Sequence, residues 1–504
     1  MAAELPRLDT DLFRRQAHEL VDWMADYLAR VGELPVEPGA PPGAVLAQIP
    51  KTAPEGPEPF ERIMGDFERV ILPGLTHWGH PGFFAYFPAN SSPPSVLAEM
   101  LTATIGAQCM SWVTSPAATE LEQAMMEWLR QMIGLPETFT GVIQDTASTA
   151  TLVALITARD AKIEDGRTEG RKVDGNSDTG DNSDPPTTFR PSVLPSDLTA
   201  YTSTEANSSV PKGMRLAGFR REHIRLIDTD DQYAMRPDAL EAAVAKDRAA
   251  GLKPAAVVAT VGTTSSTAID PVPALAEICR REEMWLHVDA AFAGSAAILP
   301  ELRWILDGAE HADSLVFNPH KWLLVNFDCS AYFVRDRTAL LRSFGASAEI
   351  LKAAQDDRVV NYRDWGIQLG RRFRALKLWF VIRSYGVDGL RAMLREHIRL
   401  GKLFAEWVDA DPDFERMAEA PLATVCFRQV AGGRGQGAGD VDALNERLLA
   451  RINATRKLFL TGTRLKGKYA LRLALGHLTT TEADVRKAWE LIQEVASQEV
   501  ARRR

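Results

Sequence analysis

Cysteine is scarce in this chain of 504 residues: Cys109, Cys279, Cys329 and Cys426 stand far apart, with no CxxC pair among them. Scattered single cysteines read as buried free thiols in preference to disulfides or a metal site. No HExxH or clustered His/Cys spacing marks a catalytic metal. Long apolar runs are also missing, and none reaches the ~18 to 20 residues that a membrane span requires. The stretch from Met1 to Pro6 lacks the basic and apolar regions of a secretory signal, which favours a cytoplasmic protein. Excess positive charge is absent too. With 58 basic against 67 acidic residues the net charge is −9, which offers no general attraction for nucleic acid or an anionic membrane. The short tail Arg502 to Arg504 reads as a solvated terminus.

What is present is the composition of an ordinary globular protein, 45% apolar and 25% charged, in a chain too long for a single hydrophobic core. Residues 11 to 30 place Phe13, Ala17, Leu20, Val21, Met24 and Leu28 on one helical face, which needs a partner surface on another domain or subunit. Proline and glycine then end the helix between Leu34 and Gly43. From residue 93 to 377, helical patterns alternate with short apolar, β-branched runs such as Ala255 to Thr260 and Trp285 to Val288. Strands of that kind are buried on both faces and predict a mostly parallel α/β sheet. The polar stretch from Glu164 to Asp184 reads as a surface insertion that buries too little to order itself. Beyond residue 378 the pattern becomes α+β, with strands at Leu422 to Phe427 and Tyr469 to Leu473 and helices near 440 to 456 and 481 to 499. The chain thus divides into an N-terminal helical segment (1–92), a large α/β domain (93–377) and a smaller C-terminal domain (378–504).

Two motifs carry the chemistry. Lys321 lies in Asn318-Pro-His-Lys-Trp322, and Asp289 lies in His287-Val-Asp-Ala-Ala291. A lysine can hold an aldehyde cofactor as a Schiff base, and an acid can keep a pyridine nitrogen protonated so that the ring accepts electrons. Thr146, Ala147 and Ser148 open a helical run, a place suited to a phosphate, and Thr264 in Gly262 to Ser266 adds a further donor. Two other patterns carry no function. Gly433 to Ala438 fits GxGxxA but sits in a glycine-rich run of the smaller domain, and the hexapeptide repeated at 221–226 and 395–400 has unrelated flanks.

These features, with Phe83 to Pro88, Ser115 to Glu122, Val142 to Gln144, Asn318 to Ser330 and Leu369 to Arg374, resemble the pyridoxal-phosphate-dependent aromatic L-amino-acid decarboxylases. These group II decarboxylases share the aspartate-aminotransferase fold (fold type I), and the family includes aromatic acetaldehyde synthases. The likeness runs from about residue 8 to 497 and implies a homodimeric carboxy-lyase using pyridoxal 5'-phosphate. It implies that Lys321 forms the Schiff base, Asp289 pairs with the ring nitrogen and Ala291 packs on the ring. Ala147, Ser148, Thr264, Asn318 and His320 then hold the phosphate end. Trp78, Tyr86, Phe87 and Pro88 match positions that shape the substrate pocket, and Met110 matches one contributed across a dimer interface. Gly370 leaves room where plant relatives preferring phenolic substrates tend to carry serine.

The chain departs from the family's amine-forming members at two catalytic positions. Asn207 stands where they stack a histidine on the cofactor, and Ile350 where they carry a tyrosine on a mobile loop, here residues 345 to 361. Neither side chain can donate a proton near neutral pH. The departure predicts an oxygen-consuming aldehyde synthase, with simple amine formation as the alternative if a water or Tyr362 supplies the proton. A cofactor-binding but catalytically silent member is a third reading, which the retained Lys321 and Asp289 oppose.

Overall fold

The structure, a computed structural model, describes residues 8–174, 194–345, 358–430 and 438–501. Its main sheet has seven strands: β1 Thr140–Gln144, β2 Leu198–Ser203, β3 Ile224–Ile227, β4 Lys253–Thr260, β5 Trp285–Asp289, β6 Ser314–Phe317 and β7 Ser330–Val334. They lie in the order β1-β7-β6-β5-β4-β2-β3. Strands β6, β5, β4, β2 and β3 are parallel, whereas β7 runs antiparallel to both β6 and β1. Six strands therefore point one way, as a mostly parallel sheet requires.

The apolar runs form strands because both faces of the sheet are covered. In β4, Val257 and Ala259 join the core that contains Met125, Leu286 and Phe317. Their neighbours Ala256 and Val258 turn to the opposite core, with Leu155 and Val210. Helix Ala147–Asp174 crosses β4, β5 and β6. It continues eleven residues into the stretch expected to stay irregular from Glu164, because helix propagation from an anchored first half needs no further burial. The remainder of that stretch lies outside the described residues.

A second, antiparallel sheet of β8 Phe414–Arg416, β9 Thr424–Gln429, β10 Thr461–Leu465 and β11 Lys468–Ala474 has the order β10-β11-β9-β8. Helices Ala438–Ala454 and Glu482–Ala501 pack on it. The expected boundary at 377/378 falls inside helix Arg374–Ala410, which changes direction at Gly386, a glycine at φ 66°. A helix, not a loop, thus joins the two sheets, and the bend sits where only glycine adopts that φ without strain.

Helix Thr10–Arg30 forms as the periodicity predicts, capped by the Asp9 carboxylate on Asp11 N and Leu12 N. Trp23 packs edge-on to Phe67 and donates to Glu68, and the Tyr27 hydroxyl meets His77 Nδ1 at 2.9 Å. No residue of this helix is buried, and Leu12, Phe13, Leu20, Val21 and Leu28 remain exposed. Among the described residues no helix is long and apolar enough to cross a membrane.

One buried ion pair ties helix Pro116–Ile133 to β1 and to the segment that enters helix Arg374–Ala410. Arg371 grips Glu122 through both guanidinium nitrogens at 2.6 and 3.1 Å, and Glu122 also accepts from Ile143 N in β1. Removing the carboxylate strands a buried cation, so Glu122→Ala is expected to cost about 3–5 kcal/mol. Chemical denaturation read by fluorescence checks this, and an unchanged midpoint would show that water or another acid compensates.

Candidate active site

The six aligned strands present their carboxyl ends on one edge, where open α/β sheets bind ligands. Ala147 and Ser148 follow β1, Asn207 follows β2, Thr264 follows β4, and Asp289 is the last residue of β5. Ala291 comes two residues later, and Asn318, His320 and Lys321 follow β6. Residues spread over 175 positions of sequence thus converge because their strands are parallel neighbours.

Lys321 sits in the single turn Pro319–Trp322, held by its own N–H to Asn318 O at 2.9 Å. Asn318 N donates to Ala291 O at 3.0 Å, and Ser330 Oγ donates to Asn318 Oδ1 at 2.7 Å, which locks the lysine turn to the exit of β5. Burial pushes the Lys321 amine down to about 8, with Asp289 opposing the shift and Arg472 adding to it. The buried Asp289 carboxyl is raised by desolvation, against the pull of Lys321 and the Ala291 N–H on Oδ1 at 3.1 Å.

The amino end of helix Ala147–Asp174 offers its first backbone N–H groups at this edge. Asn207 and Thr264, distant in sequence, touch: Asn207 Nδ2 donates to Thr264 Oγ1 at 2.9 Å, while its Oδ1 accepts from Ser209 N at 2.9 Å. Gly262, two residues before Thr264, has φ 88°, and an added Cβ there would lie only 2.6 Å from Ala293. His320 is buried, and burial pushes its imidazole down to about 3. Its Nδ1 accepts from Cys329 N at 2.9 Å, so the remaining ring proton is on Nε2 as a donor.

Beside the lysine turn, Phe87 stacks on Phe292 at 4.1 Å, and Phe292 on Trp322 at 4.4 Å. The free face of Phe87 carries two cations, Lys321 Nζ at 5.0 Å and the Arg472 guanidinium at 4.4 Å from the ring centroid. Trp78 stacks on Tyr86 at 5.8 Å, both partly exposed, and Pro88 packs beside Gly476. Met110 and Gly370 lie on a separate strip, where Arg363 N donates to Met110 O and Arg371 N donates to Gln108. No hydrogen bond among the described residues links Met110 or Gly370 to Lys321, Asp289 or Phe87. Ile350 and most of the loop from 345 to 361 lie outside the described residues. Tyr362 is a core residue, packed under the Arg371 guanidinium at 4.7 Å with its phenol raised well above 10 by burial.

Arg472 escaped the sequence reading. It is buried on β11, donates to Ser265 O at 3.1 Å and to Tyr86 O, and its Nη2 has no hydrogen-bond partner among the described residues. A buried guanidinium without a carboxylate is costly unless a ligand completes it. The available signal was a single charge inside the apolar run Tyr469 to Leu473.

The family profile described as "Pyridoxal-dependent decarboxylase conserved domain" matches residues 42–430. The chain belongs to the pyridoxal-dependent decarboxylase family. Aromatic-L-amino-acid decarboxylase of Rattus norvegicus is 46% identical over 500 residues, covering 97% of this chain and 98% of the relative. Phenylacetaldehyde synthase of Arabidopsis thaliana is 42% identical over 503 residues, covering 98% and 97%. The crystal structure of Oryza sativa TDC with PLP and tryptamine superposes with a TM-score of 0.91 at 36% identity, covering 99% of this chain and all of that one. The residues of this decarboxylase suit its pyridoxal phosphate cofactor: a buried acid beside a lowered-pKa lysine, and an open helix amino end on the same sheet edge. The hydroxyls of Ser203 and Thr260, buried at the ends of β2 and β4 without a hydrogen-bond partner among the described residues, mark the same edge as a place for polar groups.

An amine brought to about 8 loses its proton well below the ~10.4 of an ordinary lysine. In cofactor-free enzyme, acetylation of Lys321 followed by mass spectrometry is expected to rise with a midpoint near pH 8. A midpoint above 10 would contradict the desolvated environment.

Proposed function

We propose that the enzyme removes carbon dioxide from an aromatic L-amino acid and passes much of the product on to the arylacetaldehyde. In that overall reaction the amino acid, dioxygen and water become aldehyde, carbon dioxide, ammonia and hydrogen peroxide. Aromatic chemistry is what the names of the rat and Arabidopsis relatives share, whereas those names divide between a decarboxylase and an aldehyde synthase. Pyridoxal phosphate, when bound, supplies an electron sink for the bond broken at the substrate Cα.

The chain's own residues set the outcome. Lys321 would hold the cofactor aldehyde, and its lowered pKa keeps an unprotonated fraction of the amine available. Asp289 stabilises a proton at the ring nitrogen. Ala147, Ser148, Thr264, Asn318 and His320 hold the phosphate end, and Ala291 supports the ring. Arg472 and Lys321, on one face of Phe87, make an anion site for the substrate carboxylate. Trp78, Tyr86, Phe87 and Pro88 receive the aromatic side chain.

The observation that carries the aldehyde reading is the pinned Asn207 amide, which spends both ends on Thr264 and Ser209 and has no transferable proton. With Ile350 in place of a loop tyrosine, protonation at Cα is slow and dioxygen competes. The exposed apolar face of helix Thr10–Arg30, together with exposed Leu97, Leu101, Ile105 and Val113, supports a homodimer in which Met110 faces the partner's site. Such an enzyme works in the cytoplasm.

Incubation with tryptophan, phenylalanine, tyrosine and dihydroxyphenylalanine in air is expected to consume oxygen as carbon dioxide appears, with aldehyde and peroxide in comparable amounts. Asn207→His with Ile350→Tyr shifts product towards amine. Quantitative amine without oxygen uptake by the unmodified enzyme would replace this reading with simple decarboxylation. Arg472→Met removes a charge-assisted contact of about 1.5–3 kcal/mol, so kcat/KM is expected to fall roughly 10- to 100-fold. An unchanged kcat/KM would remove Arg472 from carboxylate binding.

A further inference from the structure

Two buried side chains join the lysine turn to the loop that leaves β11. Asn90 Nδ2 donates to Lys321 O at 2.8 Å and to Gly476 O at 2.9 Å, while its Oδ1 accepts from Leu478 N at 3.2 Å. His397, in helix Arg374–Ala410, receives the Trp322 Nε1–H on Nδ1 at 3.0 Å, and its Nε2 lies 3.0 Å from His477 O. An indole nitrogen can only donate, so His397 Nδ1 is the acceptor and Nε2 carries the proton that goes to the carbonyl. Asn90 is 1% and His397 2% exposed, so no water replaces either set of bonds without an opening of the structure. Consecutive residues on one side, Lys321 and Trp322, are thereby clasped to consecutive residues on the other, Gly476 to Leu478.

The clasp matters because of what each side carries. Lys321 bears the reacting amine, and Trp322 supports the Phe292–Phe87 stack on whose far face that amine rests. Arg472 stands four residues before Gly476 on the same strand exit, over the same phenyl ring. The large sheet holds the lysine and the small sheet holds the arginine, so their mutual placement depends on the ties between the two. We infer that Asn90 and His397 are positioning residues that set the register between the Lys321 amine and the Arg472 guanidinium, without touching the reacting atoms themselves. The lysine loop keeps other anchors when either is lost: Ser92 Oγ donates to Leu324 O at 2.6 Å and Asn326 N to Ser95 Oγ at 2.8 Å. Loss of the clasp therefore shifts register and leaves the fold in place.

This inference rests on Lys321 carrying the cofactor, which borohydride reduction and peptide mapping of the unmodified holoenzyme test separately. The variants Asn90→Ala, Asn90→Asp, His397→Ala and His397→Gln are compared as holoenzymes by far-ultraviolet and visible circular dichroism, pH titration of the cofactor's visible band, kcat and KM. Both alanine variants are expected to keep the far-ultraviolet spectrum and cofactor content. They should move the midpoint of the visible-band titration and lower kcat roughly 10- to 100-fold, the scale of a small misplacement of reacting groups. His397→Gln, able to accept from Trp322 and donate to His477, recovers most of kcat and the original midpoint. Asn90→Asp keeps the acceptor for Leu478 but cannot donate to the two carbonyls, and behaves like the alanine variant. If the alanine variants do not fold, Asn90→Asp and His397→Gln decide by the same readouts. Folded Asn90 variants with midpoint, visible dichroism and kcat matching the unmodified enzyme would overturn the inference, as would a His397→Gln no better than a folded His397→Ala.

Discussion

Everything at the active edge depends on keeping one amine and one carboxylate together out of water. Asp289 ends β5, and β5 pairs with β6 through Asp289 and Val316, so the turn that follows β6 brings Lys321 to its neighbour strand. Burial disfavours both charged forms, and their mutual attraction opposes that penalty in each case. The balance holds only if the surroundings cannot relax. The hydrogen bonds from Asn318, Ala291 and Ser330 supply that rigidity on one side, and the Asn90 and His397 clasp supplies it on the other.

Around this pair the site carries more positive than negative charge. Arg472 adds a second cation to the free face of Phe87, and among the described residues its Nη2 has no partner. A site so arranged favours anionic ligands, which suits both a substrate carboxylate and a phosphate. The Asn207 amide, fixed by two hydrogen bonds, is a good structural element and a poor acid.

Much of this was legible in the sequence, and the reason is that the relevant signals are local. Buried parallel strands need continuous apolar runs, which marked β4 and β5. A lysine in a short turn beyond a strand, with an acid one strand away, is written in adjacent motifs. The amphipathic period of residues 11 to 30 is likewise a property of a single segment, and the helix formed where the period placed it.

Only the tertiary structure decided the rest, because those features depend on what distant segments bring to one point. Arg472 looks like an isolated charge in an edge-domain strand until β11 is seen to press it against Phe87 and Ser265. Asn90 is an ordinary loop residue until the chain places Lys321 and Gly476 on either side of it. Tyr362 reads as a loop phenol, yet Arg371 and Trp365 enclose it. The boundary expected near 377 falls within a helical stretch, and the break in that stretch comes at Gly386. Sequence determined which strands and which reactive groups exist; contacts between the two sheets determined which of those groups share a site, because side-chain burial and hydrogen-bond partners are properties of packing and not of any one segment.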